Sequence, residues 1–117
     1  MSNAGLGARG EDAAVAFLVA SGIEVVERNW RCRYGELDVV AREGDTTVFV
    51  EVKTRSGTMF GSPEESVTVA KQGRIRRLAG LWLIERGGPF VAVRFDVIGV
   101  IATPGGQPTV VHHRAVF

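Results

Sequence analysis

Apolar residues Ala13, Ala14, Phe17 and Leu18 recur at helical spacing, and Gly22 follows as a stop, so the pattern predicts a helix over 6–20. Ile23 to Trp30 reads as a strand, with Ile23, Val25 and Val26 apolar. Tyr34 to Arg42 and Thr46 to Thr54 read as two further strands around Glu43-Gly44-Asp45. Ser56 to Pro63 is rich in glycine and serine and reads as a loop. From Glu64 to Arg86 the period turns helical again, with Val67, Ala70, Ile75, Leu78, Ala79 and Trp82 on one side. Gly73 marks a candidate break in this helix, and Gly87-Gly88-Pro89 its end. Phe90 to Ile101 is a valine-rich strand, 103–108 a turn-rich loop, and Thr109 to His113 a last short strand. The expected order is α-β-β-β-α-β-β, an α/β domain with a mixed β-sheet flanked by helices.

The hairpin over 35–53 carries the most information. A turn centred on Gly44-Asp45 sets the pairing by arithmetic, with Asp38 opposite Glu51 and Glu36 opposite Lys53. Residues directly opposite in an antiparallel pair share a face. One face then carries Glu36, Asp38, Val40, Phe49, Glu51 and Lys53. The other carries Leu37, Val39, Ala41, Val48, Val50 and Val52, and must pack on the core. A slip of one residue would bury the charges and expose the valines, so the register is firm. Asp38 opposite Glu51 is a like-charge pair, which destabilises a sheet by roughly a few tenths of a kcal/mol or more. A cation between the two groups would remove that cost, and hard carboxylate oxygens suit Mg²⁺ or Mn²⁺ better than zinc. Lys53 projects on the same side, where it could orient a metal-bound water or stabilise charge on a phosphate. Spacing alone favours the plainer alternative, a surface cluster in which Lys53 neutralises Glu36 and Asp38. Val40 and Phe49 weaken that alternative, because they imply that this face is also partly covered.

The 117 residues amount to one domain, over 5–117; Ser2-Asn3-Ala4 have the look of a tag-cleavage remnant, though Met1 before them does not fit it, and residues 1–4, such a remnant or a disordered N-terminus, are set aside. Hydrophobic residues make up 45% and charged residues 23%, which argues against disorder. Cys32 is the one cysteine, so an internal disulfide framework and a multi-cysteine zinc site are excluded. No apolar run approaches the roughly 18 residues of a membrane span, and no signal pattern opens the chain. A cytoplasmic location without membrane attachment is expected. The net charge of +1 means that nucleic-acid binding, if present, rests on local patches.

Other residues assort into candidates. Arg28, Arg31 and Arg33 surround Trp30 and Tyr34, a mixture suited to phosphate contact and base stacking, although Trp30 is better read as core. Lys71, Arg74, Arg76 and Arg77 form a basic run that, with Arg55, could line a groove for a nucleic-acid backbone or simply be a solvated helix face. Gln72 is a weaker candidate for holding a water or phosphate. Glu11 reads on spacing alone as a solvated residue near a helix N-terminus; Asp12 faces elsewhere. Asp96 reads as a structural partner of Arg94. His112 and His113, adjacent on a strand, point to opposite faces and receive no role.

Taken together, Gly10-Glu11-Asp12-Ala13-Ala14, Asn29-Trp30-Arg31, Gly35-Glu36-Leu37-Asp38, Phe49-Val50-Glu51-Val52-Lys53-Thr54-Arg55 and Arg94-Phe95-Asp96-Val97-Ile98 resemble the YraN-like family of small bacterial proteins. The acidic helix residue, the Asp and the Glu-X-Lys strand resemble the PD-(D/E)XK nuclease superfamily. Leu37 stands before Asp38 where the superfamily's name has proline. The resemblance implies a restriction-endonuclease-like core, similar to archaeal-type Holliday-junction resolvases. It further implies Asp38 and Glu51 as metal ligands, Glu11 as a further acidic ligand, and Lys53 as the catalytic lysine. The implied activity is Mg²⁺- or Mn²⁺-dependent hydrolysis of DNA phosphodiester bonds, with branched DNA as one substrate class and a homodimer as the assembly. Arg31, Arg33, Arg55, Lys71 and Arg74 would contact the DNA. The rival expectations are a nucleic-acid-binding accessory protein that keeps the fold without cutting, and an assembly factor whose acidic cluster is only a surface feature.

Overall fold

A computed structural model describes residues 3–56, 67–86, 92–103 and 105–117. The elements are α1 (Asn3–Ala20), β1 (Glu24–Cys32), β2 (Gly35–Glu43), β3 (Thr46–Ser56), α2 (Val69–Arg86), β4 (Ala92–Ala102) and β5 (Thr109–His113). The order is the one expected from the sequence. α1 takes in Asn3 and Ala4, two of the residues set aside above. The expected loop over 56–63 and the stop at 87–89 lie outside the described residues, except for Ser56, which ends β3.

The five strands form one sheet in the order β1-β2-β3-β4-β5. β3 and β4 are parallel, as a crossover through α2 requires, and the other pairs are antiparallel. α1 covers one face. Ala14 and Leu18 bury there against Ile23, Val39, Ala41, Val48, Val50, Ile98 and Val100. α2 covers the other through Ile75, Leu78, Ala79 and Trp82, packed on Leu37, Val40, Phe49 and Val97. With helices on both faces the central strands carry almost unbroken apolar runs. Each fully buried aliphatic side chain contributes about 1.5–3 kcal/mol.

Local chemistry fixes the helix ends. Ile23 N donates to Leu18 O and Gly22 N to Val19 O, both at 3.0 Å, closing α1 in a Schellman turn with Gly22 at φ 84°. Leu18 and Ile23 bury together beneath it. Thr68 caps α2: its Oγ1 accepts the Lys71 N–H at 3.2 Å, an interaction worth about 1 kcal/mol. α2 runs unbroken through Gly73. Its buried face outweighs the low helix propensity of one glycine.

The hairpin turn is the two-residue Gly44-Asp45 turn, with Gly44 at φ 60°. The backbone pairing of β2 and β3 runs from Glu43–Thr46 to Val39–Val50, the register read from the sequence. One facial assignment is corrected. Leu37 was expected beside Val39 and Ala41, but it packs with Val40 against α2. Alternation therefore skips one position at Asp38. The β1–β2 register sets Asn29 across from Asp38, and Asn29 is left-handed at φ 53°. Asn tolerates that conformation better than most residues. β1 skips at the same level, so Arg28 reaches α1 while Trp30 joins the α2 side.

Candidate active site at the end of the β2–β3 ladder

The regular ladder stops at Val39–Val50, and the next position is occupied differently. The Val52 N–H donates to Asp38 Oδ2 at 2.9 Å. The side chain of Asp38 thus takes a backbone donor of β3 and holds its own carboxylate against that strand. Continuing the register by one step sets Asp38 across from Glu51. Burial, then the charge of Glu51, pushes the Asp38 carboxyl up to about 7, against the pull of the Val52 hydrogen bond. Glu11 and Glu36 raise it further. Three acidic residues from α1, β2 and β3 therefore act electrostatically on one carboxyl group.

Each of those carboxylates has a basic partner of its own. Lys71 Nζ lies 2.7 Å from Glu51 Oε1. Arg28 reaches Glu11 at 3.3 Å and Asp12 at 2.7 Å, so Asp12, read as facing elsewhere, shares a cation with Glu11. Arg31 Nε donates to Glu36 at 2.5 Å. Lys53 is half-buried, and its pKa is lowered, first by the charge of Lys71, then by burial and by Arg55.

The backbone explains why α1 comes so close. A Cβ on Gly10 would fall 1.9 Å from Thr54 Oγ1. Only glycine lets α1 cross β3 here, and the next residue is Glu11.

Of the residues named from the sequence, Glu11, Asp38, Glu51 and Lys53 are brought to one end of the β2–β3 pair. Among the described residues, no three His, Cys, Asp or Glu side chains stand close enough to hold a metal ion between them. Asp38 and Glu51 are the pair whose chemistry fits a hard divalent cation: two anionic oxygens, mutually repelling, one forced toward protonation.

The candidate nucleic-acid contacts divide. Arg55 and Arg74 are exposed. Arg33 stands over the Tyr34 ring at 5.0 Å. Arg31 is outward-facing but bound to Glu36. Lys71 is held by Glu51, and Arg28 by α1, so both have partners within the chain. Arg76 lies against the rings of Phe95 and Phe117. Gln72 Nε2 donates to Val67 O at 3.1 Å, a brace at the start of α2. Trp30 is half-buried on the α2 side and donates to Glu85 at 3.0 Å.

Sequence reasoning missed two pairings. Lys71 was grouped with outward-facing arginines, and nothing in its local pattern marks it as the partner of Glu51. His112 was given no role, yet its Nε2 lies 2.7 Å from Asp96 Oδ2. Asp96 is indeed structural. Wholly buried, it accepts from Arg94 Nε and Nη2 at 2.9 and 3.0 Å and from the Ala115 N–H at 2.9 Å. Among the described residues, no helix is long and apolar enough to cross a membrane.

Comparison with known proteins gives this arrangement a family. A UPF0102 protein of Nocardia farcinica is 59% identical over 112 residues, 96% of this chain and 88% of the relative. One of Rhodococcus jostii is 53% identical over 115 residues, 98% of each chain. One of Beutenbergia cavernae is 55% identical over 111 residues, 95% of this chain and 94% of the relative. The model of the uncharacterised protein family UPF0102 matches residues 10–100, a span that holds Glu11, Asp38, Glu51 and Lys53, and the chain belongs to that family.

Proposed function

We propose that the protein is a metal-dependent nuclease of the PD-(D/E)XK superfamily that hydrolyses DNA phosphodiester bonds, with a restriction-endonuclease-like core. The observation that carries this reading is the meeting of Asp38 and Glu51 where the β2–β3 ladder stops, with Lys53 one alternation beyond Glu51 on the same strand. The order αβββαββ and the α2 crossover to a parallel β4 are consistent with such a core. Branched DNA as substrate and a homodimer as the working form belong to the same proposal, and rest on the resemblance.

Asp38 and Glu51 would hold Mg²⁺ or Mn²⁺, with Glu11 contributing through water. Such a cation, when bound, neutralises a scissile phosphate and lowers the pKa of an attacking water. Asp38 is fixed for this role by the Val52 N–H, which leaves its other oxygen free of that bond. Glu51 is oriented by Lys71, whose ammonium adds positive charge beside the place a phosphate would occupy. Lys53, its proton loosened by neighbouring cations and burial, would hold or give a proton at the water or the leaving oxygen.

The Lys71–Glu51 ion pair favours a second reading. A cation already sits on Glu51, as a binding module that cuts nothing would allow. One experiment separates the two. Labelled linear duplex, single-stranded, flapped and four-way-junction DNAs are incubated with Mg²⁺ or Mn²⁺ and the wild type, Asp38→Asn or Lys53→Ala. Metal-dependent cutting by the wild type, lost in both variants, is the expected result. No cutting of any substrate, with salt-sensitive binding that survives both substitutions, would leave the binding module as the answer.

A further inference from the structure

Beside Lys71, the N-terminal half of α2 and the β1–β2 turn enclose an open cleft of about 350 Å³. Its lining is Tyr34, Val69, Ala70, Gly73, Arg74, Arg77 and Leu78. That volume lies at the lower end of the range of small-ligand sites, about 300–1,000 Å³. The chemistry is lopsided. Tyr34 is 52% exposed and Val69 84% exposed, an aromatic and an aliphatic wall left open to solvent. Arg33 stands over the Tyr34 ring. Arg74 and Arg77 rise one helical turn apart on the same face of α2. No acidic residue lines the cleft, and among the described residues Arg33, Arg74 and Arg77 make no ion pair.

The floor is Gly73. A Cβ there would meet nothing within 4 Å, so packing does not demand glycine. A glycine inside a helix is otherwise unfavourable. What it leaves is space between the arginines and the tyrosine.

We propose that this cleft takes an unpaired nucleotide of single-stranded DNA, its base stacked on the face of Tyr34 that Arg33 leaves open and its flanking phosphates on Arg74 and Arg77. The proposal rests on the nuclease reading above and narrows its substrate to DNA with an unpaired stretch. An aromatic ring with guanidinium groups in the same cleft offers a flat apolar surface near positive charge, the complement of a base and its phosphates. A base inside a duplex presents no free face to such a surface. Ala70 of the lining is next in sequence to Lys71, which holds Glu51, so one turn of α2 carries both a cleft residue and a contact to the carboxylate pair.

The test is binding, read by fluorescence anisotropy with labelled short single-stranded DNA and with a blunt duplex of the same sequence. It is done without divalent metal in the Asp38→Asn protein, so that cutting plays no part. Single strand is expected to bind more tightly than duplex. Tyr34→Ala should weaken single-strand binding by about tenfold and leave duplex binding within about twofold, while Tyr34→Phe keeps both. Gly73→Leu, whose Cβ would meet nothing within 4 Å, should match Tyr34→Ala, and circular dichroism checks that it folds. Arg74→Gln and Arg77→Gln should each lower the salt dependence by about 0.7. Equal affinity for both DNAs, or no selective loss in Tyr34→Ala and Gly73→Leu, overturns the proposal. The nuclease reading fails separately: it falls if the wild type cuts nothing with Mg²⁺ or Mn²⁺, whichever way the anisotropy turns out.

Discussion

The Val52 N–H donates to Asp38 Oδ2 at 2.9 Å, so a side chain does what the backbone of β2 does one residue earlier. This bond fixes a carboxyl group in a half-buried position next to Glu51. Against that bond, burial and the charge of Glu51 make ionised Asp38 costly.

That cost predicts that Asp38→Asn is more stable than the wild type in metal-free buffer. The folded-state pKa of Asp38, about 7, lies above the unfolded value near 3.8, so the wild type loses stability as pH rises between them. The gap between Asp38→Asn and the wild type should open from about pH 4, reach on the order of 4 kcal/mol, and stay level above about pH 8. Asn keeps an oxygen for the Val52 N–H, whereas Asp38→Ala does not and should fall below Asn by about 1–2 kcal/mol. Urea unfolding across that pH range checks both orders, and a flat difference would sink the account.

Divalent cation should act on the same pair. Mg²⁺ at ten times its dissociation constant stabilises a folded protein by about 1.4 kcal/mol. The wild type should show that rise in melting temperature and Asp38→Asn should not. Lys71→Met removes the cation that holds Glu51 and should strengthen the Mg²⁺ response. Identical melting shifts in all three proteins would mean that the carboxylate pair binds no metal.

On the far side of the sheet, Asp96 is wholly buried between Arg94, His112 and the Ala115 N–H. Burial alone would raise its pKa, but its hydrogen bonds from His112, Arg94 and Ala115 hold it down at about 2. Its folded pKa therefore lies below the unfolded 3.8, and its contribution is present above about pH 4 and lost as pH falls toward 2. Asp96→Asn should lower stability at about pH 6 by roughly 2–3 kcal/mol, with the deficit shrinking at about pH 3. Denaturation midpoints at the two pH values decide it.

Gly10→Ala should destabilise the fold by about 1–3 kcal/mol, because a Cβ would lie 1.9 Å from Thr54 Oγ1 and force α1 off β3. Gly7→Ala, where a Cβ meets nothing within 4 Å, should be neutral or stabilising. Chemical denaturation of the two variants makes the comparison, and similar effects in both would remove the close approach as the reason for glycine at position 10.

The sequence by itself determined the element order, the β2–β3 register and the meeting of Asp38 with Glu51. It could do so because strand side chains alternate with period two and the Gly44-Asp45 turn pins the count, so that one slip would invert both faces. It also paired Arg94 with Asp96, since residues two apart on a strand share a side. Tertiary structure alone decided the rest. The skip at Asp38 and Asn29, which sends Leu37 to α2, has no local pattern, because it arises where two strands break alternation together. Gly73 stays helical because the burial of Ile75, Leu78, Ala79 and Trp82 outweighs local propensity. Lys71 meets Glu51, and His112 meets Asp96, only after elements far apart in sequence dock on the sheet. Short-range periodicity encodes face and register; which charges finally touch depends on where the packed core seats each helix and strand.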